Sequence, residues 1–131
     1  MRVVADTNVI VRFLVGDDAA QLARVVARAD KLRRSGGEIV VPTLVLAEVS
    51  WVLATSYGRK KADVAAALGT LLSTRPFVAE DRPLVDAALR LAAHGPAGIA
   101  DYLLLAQARR EGVVLLSFDK KLRREPDVET P

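Results

Sequence analysis

Four acidic residues stand where parallel α/β proteins place their ligand-binding groups: Asp6, Glu48, Asp101 and Asp119. Asp6 directly follows the apolar run 3–5, and Asp119 follows the longer apolar run 113–118. In open α/β sheets, ligands bind beyond the carboxyl ends of the strands, which is where both acids are expected. Each acid alone has an alternative role, because aspartate is also a good N-cap for a helix that follows a strand.

Glu48 is the hardest of the four to explain structurally. Its neighbours three and four positions away along a helix are all apolar: Leu44, Val45, Trp51 and Val52. We therefore expect Glu48 to be buried or at the edge of a cleft, and Trp51 to belong to the core. An unpaired buried carboxylate costs several kcal/mol or more, so Glu48 needs a cation, a shared proton or an ion pair. No Lys or Arg occurs between residues 42 and 56, so the partner of a structural ion pair, which stays an alternative, would come from elsewhere.

Asp101 opens a segment with apolar residues three and four positions on, after the glycine-containing approach 95–98. Its alternative role is that of a first-turn acid that complements the helix dipole. Four carboxylates in one place would repel each other unless a cation lay between them. Oxygen-only ligands suit Mg²⁺ or Mn²⁺, whereas the absence of cysteine and a single histidine, His94 in a predicted surface turn, argue against zinc.

Strand-like and helix-like segments alternate along the chain and must position these acids. The strand patterns cover residues 2–5, 39–41, 77–79 and 113–118, of which the last is the strongest. Helix patterns lie between them, and the segment 44–54 is apolar all round, which indicates a buried helix, although a strand stays possible. This alternation predicts one α/β domain over residues 1–131, with three layers and a mainly parallel central sheet.

The composition indicates a soluble globular protein, since 51% of the residues are hydrophobic and 27% are charged. The lack of cysteine excludes disulfides and fits the cytoplasm, and the apolar run before Asp6 is too short for a signal peptide. No apolar stretch is long enough for a membrane span, so no membrane partner is expected. The net charge is only +3, but basic residues cluster at 31–34, 59–61, 109–110 and 120–124. Such clusters favour a phosphate-bearing partner, or they are solvated helix ends.

Four segments resemble the PIN-domain family, and within it the VapC-type toxins of toxin–antitoxin pairs: the opening 3–14, the segment 42–53, the pair Ala100-Asp101 and the segment 115–119. The resemblance covers nearly the whole chain, with the segments in the expected order. It implies a three-layer PIN-like fold and a Mg²⁺- or Mn²⁺-dependent endoribonuclease that hydrolyses RNA. It also implies a homodimer that is neutralised by a VapB-type antitoxin.

The resemblance assigns the catalytic, metal-binding role to Asp6, Glu48, Asp101 and Asp119. It further implies that Asn8 and Ser117, each two residues from an acid, order the site by hydrogen bonds to those carboxylates or to metal-bound water. Many relatives carry another acid three residues before the position of Asp101, where this chain has Gly98. A second metal ion is therefore expected to be weakly held.

Two other classes of function stay open. The first is a catalytically silent PIN-like RNA-binding or scaffold module, which loss of quartet acids would favour, although all four are present here. The second is a receiver-type signalling domain, which needs a phosphoacceptor Asp after a third strand and a Lys after a late strand. Glu80-Asp81 follows the weak strand 77–79, but Lys120 follows Asp119 directly, so the pattern fits poorly.

Overall fold

The computed structural model describes all 131 residues and contains a parallel three-stranded sheet. Its strands are β1 (Arg2–Val4), β2 (Glu38–Val41) and β3 (Phe77–Ala79), in the order β1-β2-β3. Val3 pairs with Ile39, which pairs in turn with Phe77. A second parallel sheet has two short strands, β4 (Leu115–Leu116) and β5 (Val128–Glu129). The predicted α/β class and the parallel pairing are confirmed.

Six helices connect and surround the strands: α1 (Thr7–Val15), α2 (Ala19–Arg34), α3 (Thr43–Thr55), α4 (Lys61–Leu72), α5 (Arg82–His94) and α6 (Ile99–Glu111). A short 3₁₀ helix, Lys120–Leu122, follows β4. Aspartate side chains cap three of the helices by accepting backbone N–H bonds: Asp6 for α1, Asp18 for α2 and Asp81 for α5. Each cap marks the start of its helix, because it gives an acceptor to a backbone N–H that has none within the first helical turn.

One hydrophobic cluster of 27 buried residues draws side chains from all six helices. Helix α3 contacts α1, α4 and α6, and α5 packs along α6. The largest fully buried side chain is that of Tyr102 in α6. No helix is both long enough and apolar enough to cross a membrane. The core therefore fixes α1, α3 and α6 against one another, and these are the helices that carry or follow three of the candidate acids.

The predicted strand 113–118 is wrong in extent, since only Leu115 and Leu116 pair. The N–H of Val113 is taken by the carbonyl of Ala108, where it helps to close the end of α6. The only partner of β4 is the two-residue β5, so the pairing cannot extend. Most of the apolar side chains of this run therefore remain exposed, with Phe118 74% accessible.

The expected burial of Trp51 is also wrong, and of the two positions expected for Glu48 the structure excludes burial. Trp51 is 65% exposed and Glu48 is exposed, because α3 buries the face that carries Val45, Leu46 and Val49. The opposite face of an all-apolar helix must then meet solvent. The sequence periodicity of α3 gives no indication of which face that is.

Candidate functional site

Asp6 and Glu48 form the first half of the candidate site, at the start of α1 and on the exposed face of α3. Asp6 lies between β1 and α1, where its Oδ1 accepts a 3.1 Å hydrogen bond from the N–H of Val9. Thr7, the next residue, donates a 2.6 Å hydrogen bond from Oγ1 to Glu48 Oε2. This bond holds the Glu48 carboxylate beside the start of α1. The side chain of Asn8 lines the same cleft as Asp6.

Glu48 has no cationic partner within the chain. It takes part in none of the seven ion pairs of the structure. Its one side-chain partner is the hydroxyl of Thr7, which leaves lone pairs of both carboxylate oxygens free. The structural ion pair that would explain this residue is therefore absent, and Glu48 remains available as a ligand.

Asp101 and Asp119 form the second half, at the start of α6 and of the 3₁₀ helix. Asp119 caps the 3₁₀ helix through the N–H of Lys121 at 2.8 Å, and its own N–H donates to Ser117 Oγ at 3.0 Å. Burial raises the pKa of the half-buried Asp101 above its ordinary range. The N–H of Gly98 opposes this shift of the pKa, the negative charge of Asp119 adds to it, and Lys121 opposes it. Asp119 is therefore close enough for its negative charge to act on the carboxyl group of Asp101.

The loop 94–98, which leads into α6, is shaped by the residues that follow it. The N–H of Gly98 donates to Asp101 Oδ2 at 3.3 Å, and the N–H of Ala97 donates to the Tyr102 hydroxyl at 3.2 Å. Gly95 packs against the same tyrosine, since a Cβ at this position would overlap its hydroxyl oxygen and lie 2.6 Å from Cζ. No residue but glycine fits there without movement of the Tyr102 ring.

Two long cationic side chains hold the outer part of the same loop. Lys61, the first residue of α4, donates from Nζ to the carbonyl of Gly95. Arg124, after the 3₁₀ helix, donates from Nη2 to the carbonyl of His94 at 2.9 Å. The backbone before Asp101 is thus fixed from α4, α6 and the segment after the 3₁₀ helix.

The chemistry of the four donors suits a hard divalent cation, because all of them offer carboxylate oxygen. The structure gathers them as two pairs, and no group of three or more acidic or histidine side chains is arranged to hold a metal ion. The metal-binding role of the quartet therefore stays a prediction, as do the ordering roles of Asn8 and Ser117. Ser117 contacts the backbone of Asp119 and not its carboxylate.

Several of the predicted basic clusters serve the fold. Arg109 binds both Glu125 and Asp127, at 2.9 and 2.7 Å, and these carboxylates raise its pKa further. Arg110 binds Asp81 at 2.6 Å. These two arginines, and Lys61, bind other groups of the chain, a role that neither of the two expectations for the basic clusters describes.

A cleft beside Asp6 contains cations that the sequence clusters miss. It has a volume of about 580 Å³ and lies between β1, α1 and α2. Its cationic residues are Arg12, Arg24 and Arg28, of which the last two are one helical turn apart on α2. The missed signal was their spacing of four residues, which places two separate arginines on one helix face.

The chain matches a family model and is similar to chains of solved structures, among them those of VapBC2 and VapC20. The family model described as the PIN domain matches residues 3–127. No curated protein sequence matches the chain. The crystal structure of VapBC2 from Rickettsia felis, bound to a promoter DNA fragment, contains a chain that is 20% identical, with 99% of this chain and 98% of that chain covered and a TM-score of 0.41. VapC20 of Mycobacterium tuberculosis, described as a sarcin-ricin loop cleaving toxin, is 19% identical, with all of both chains covered and a TM-score of 0.43.

Proposed function

The chain belongs to the PIN-domain family, and from this premise we propose that it is a Mg²⁺- or Mn²⁺-dependent endoribonuclease, the toxin of a toxin–antitoxin pair. The observation that carries the proposal is the state of the four acids. They occur in the family's order, at the starts of α1, α6 and the 3₁₀ helix and on α3, and Glu48 has no ion-pair partner. Glu48 is exposed, accepts a hydrogen bond from the hydroxyl of Thr7 and has no cationic partner, so its carboxylate is available to bind a metal ion.

In this proposal Asp6, Glu48, Asp101 and Asp119 hold the cation. When bound, the metal polarises the phosphodiester and lowers the pKa of the attacking water. Thr7 orients Glu48, and the Ser117 hydroxyl fixes the backbone of Asp119. The carboxylates position the metal, and their oxygen atoms can accept the proton of that water.

The partners in this proposal are an RNA substrate, a VapB-type antitoxin and a second copy of the chain, in the cytoplasm. The motif resemblance supports them. The exposed apolar side chains of Leu44, Trp51, Leu104 and Phe118 also give the surface apolar area that a protein partner can cover. Which RNA is cut is a matter for experiment.

The alternative is a catalytically silent RNA-binding or scaffold module. One observation favours it, namely that no three of the acids stand in one coordination sphere. The two functions differ in a single measurable property, which is metal-dependent cleavage of RNA.

The test compares Asp6→Asn with Asp18→Asn, because each acid caps a helix through a backbone N–H. We expect Asp6→Asn to lower the rate of Mg²⁺- or Mn²⁺-dependent cleavage by about 100-fold or more, since a lost ligand should matter at least as much as a lost outer partner. Asp18→Asn should cleave like the wild type. RNA affinity should be unchanged or higher in Asp6→Asn, because that residue contributes only negative charge.

The assay uses tRNA and ribosomal RNA fragments, with a chelator as the control. Equal cleavage by the wild type and Asp6→Asn would indicate a contaminating nuclease. RNA binding without cleavage, with both metals and across the whole panel, would establish the silent module instead.

A further inference from the structure

The cleft beside Asp6 combines an apolar floor with a cationic wall. Valine side chains from β1, α1 and α2 contribute to the floor, together with Ile39 of β2. Arg12, Arg24 and Arg28 supply the charge, and Asp6 is the only acid among the lining residues. The cleft therefore carries net positive charge and has the candidate catalytic residue within its wall.

Two of the three arginines are free to bind a ligand. Arg12 donates to Gln21 Oε1 at 2.6 Å and to Asp17 Oδ1 at 3.3 Å, so its charge is already partly matched. Arg24 forms no ion pair or side-chain hydrogen bond, and Arg28 contacts only the thioether of Met1, a weak acceptor. Both are exposed on α2. Guanidinium groups without a charge partner, at the wall of a groove, can bind the oxygen atoms of an anion.

We propose that Arg24 and Arg28 bind successive phosphates of a single-stranded RNA segment that runs along α2 and reaches the catalytic acids at Asp6. Residues four apart on a helix are separated by about 6 Å along its axis, which suits adjacent phosphates of an extended strand. The apolar residues of the cleft give unpaired bases a surface on which to lie, which the paired and stacked bases of a duplex cannot use. The inference rests on the proposed function only in identifying the ligand as substrate.

An acidic peptide is the other anionic ligand that such a cleft can accept. The position of Asp6 favours RNA, because an anionic strand that follows the arginines leads to the residue proposed to hold the metal. A carboxylate-bearing peptide would gain no binding energy from extending to Asp6. Binding of an acidic peptide is therefore one of the outcomes that the test distinguishes.

The experiment measures the affinity of the full chain for a short single-stranded oligoribonucleotide in chelator, as a function of salt concentration. The slope of log K against log salt is negative, and removal of both arginines, in Arg24→Ala/Arg28→Ala, should reduce its magnitude by about 1.4. This corresponds to about 0.7 for each phosphate contact with a single strand. The matched control is Arg33→Ala/Arg34→Ala, which removes the same charge from the last turn of the same helix. Its slope should match that of the wild type.

All four substitutions are at exposed helix positions where alanine is favoured, and thermal melts check that the variants fold. An unchanged slope in Arg24→Ala/Arg28→Ala, or an equal loss in the control, would overturn the proposal. So would equal loss of affinity for a duplex of the same length, or loss of poly-glutamate binding alone. Because binding is measured without metal, it does not depend on cleavage. If the wild type bound RNA but cleaved none of it with either metal, the proposed function would fail while the binding result stood.

Discussion

The two halves of the candidate site are built in opposite ways. Asp101 follows a loop that four hydrogen bonds from different elements hold in place, and its carboxyl group is half-buried. Asp6 and Glu48 are exposed, and their side chains are held by one backbone N–H and one hydroxyl. One half is therefore preset by packing, while the other has side chains that can still move.

This difference affects how strongly the acids repel one another. Burial and the charge of Asp119 already disfavour ionisation of Asp101, so a third carboxylate at the same point would add to the repulsion. The exposed acids Asp6 and Glu48 avoid that cost because water screens them.

The largest expected effect comes from the loop of the preset half. Gly95→Ala should destabilise the fold by about 3 kcal/mol, because the new methyl group overlaps a fully buried tyrosine. Gly98→Ala is the matched control in the same loop, where the added Cβ would meet only Asp101 Oδ2 at 3.6 Å, and it should cost under about 1 kcal/mol. Urea denaturation measures both. Equal losses would mean that Tyr102 yields easily and that the loop is not rigid.

A smaller loss of stability is expected when the hydroxyl group of either of the two tyrosines is removed. Tyr102→Phe leaves the buried N–H of Ala97 without an acceptor, which should cost about 1–2 kcal/mol. Tyr57 donates from its hydroxyl to Asp17 at the end of α1, in an exposed position, so Tyr57→Phe should cost no more than about 0.5 kcal/mol. Measuring the free energies of unfolding of the two variants tests this expectation. A larger loss of stability in Tyr57→Phe than in Tyr102→Phe would contradict the assignment of the Asp101 half as the more rigid one.

The helix starts and the parallel sheet were predictable from sequence because they depend on local chemistry. Asp18 and Asp81 cap their helices within three residues, and the β-branched run 39–41 and the weaker pattern 77–79 form strands. The positions of Asp6 and Asp119 at helix starts follow from the same rules. For both of these acids the capping role proved real, and a capping carboxylate retains lone pairs for a further partner.

What could not be predicted depends on contacts between distant segments. Helix α3 has apolar residues on every side, so its own sequence does not show which of its faces the neighbouring helices α1, α4 and α6 cover. The run 113–118 lacks a long partner strand, which no local pattern indicates. Arg24 and Arg28 escaped notice because they are separated in sequence and come together only on the surface of a helix.

The smallest expected effect concerns the charge of Asp101. Its pKa is raised mainly by burial, so between the ordinary aspartate pKa of about 4 and the higher folded value the native state binds more protons than the unfolded state. Stability should therefore fall as pH rises through that window, and Asp101→Asn should remove the loss while its amide oxygen still accepts from Gly98. In chelator at neutral pH we expect this variant to be more stable than the wild type by less than about 1 kcal/mol, since a half-exposed carboxyl group stays largely screened. The advantage should vanish below the window, where the wild-type carboxyl is protonated.

Asp81→Asn is the control of opposite sign, because Arg110 lowers the pKa of Asp81 and its charge stabilises the fold at neutral pH. Urea denaturation across the acid range measures both variants. Destabilisation of Asp101→Asn at neutral pH, in parallel with Asp81→Asn, would show that the Asp101 charge supports the fold, and the contrast between the two halves would then be lost.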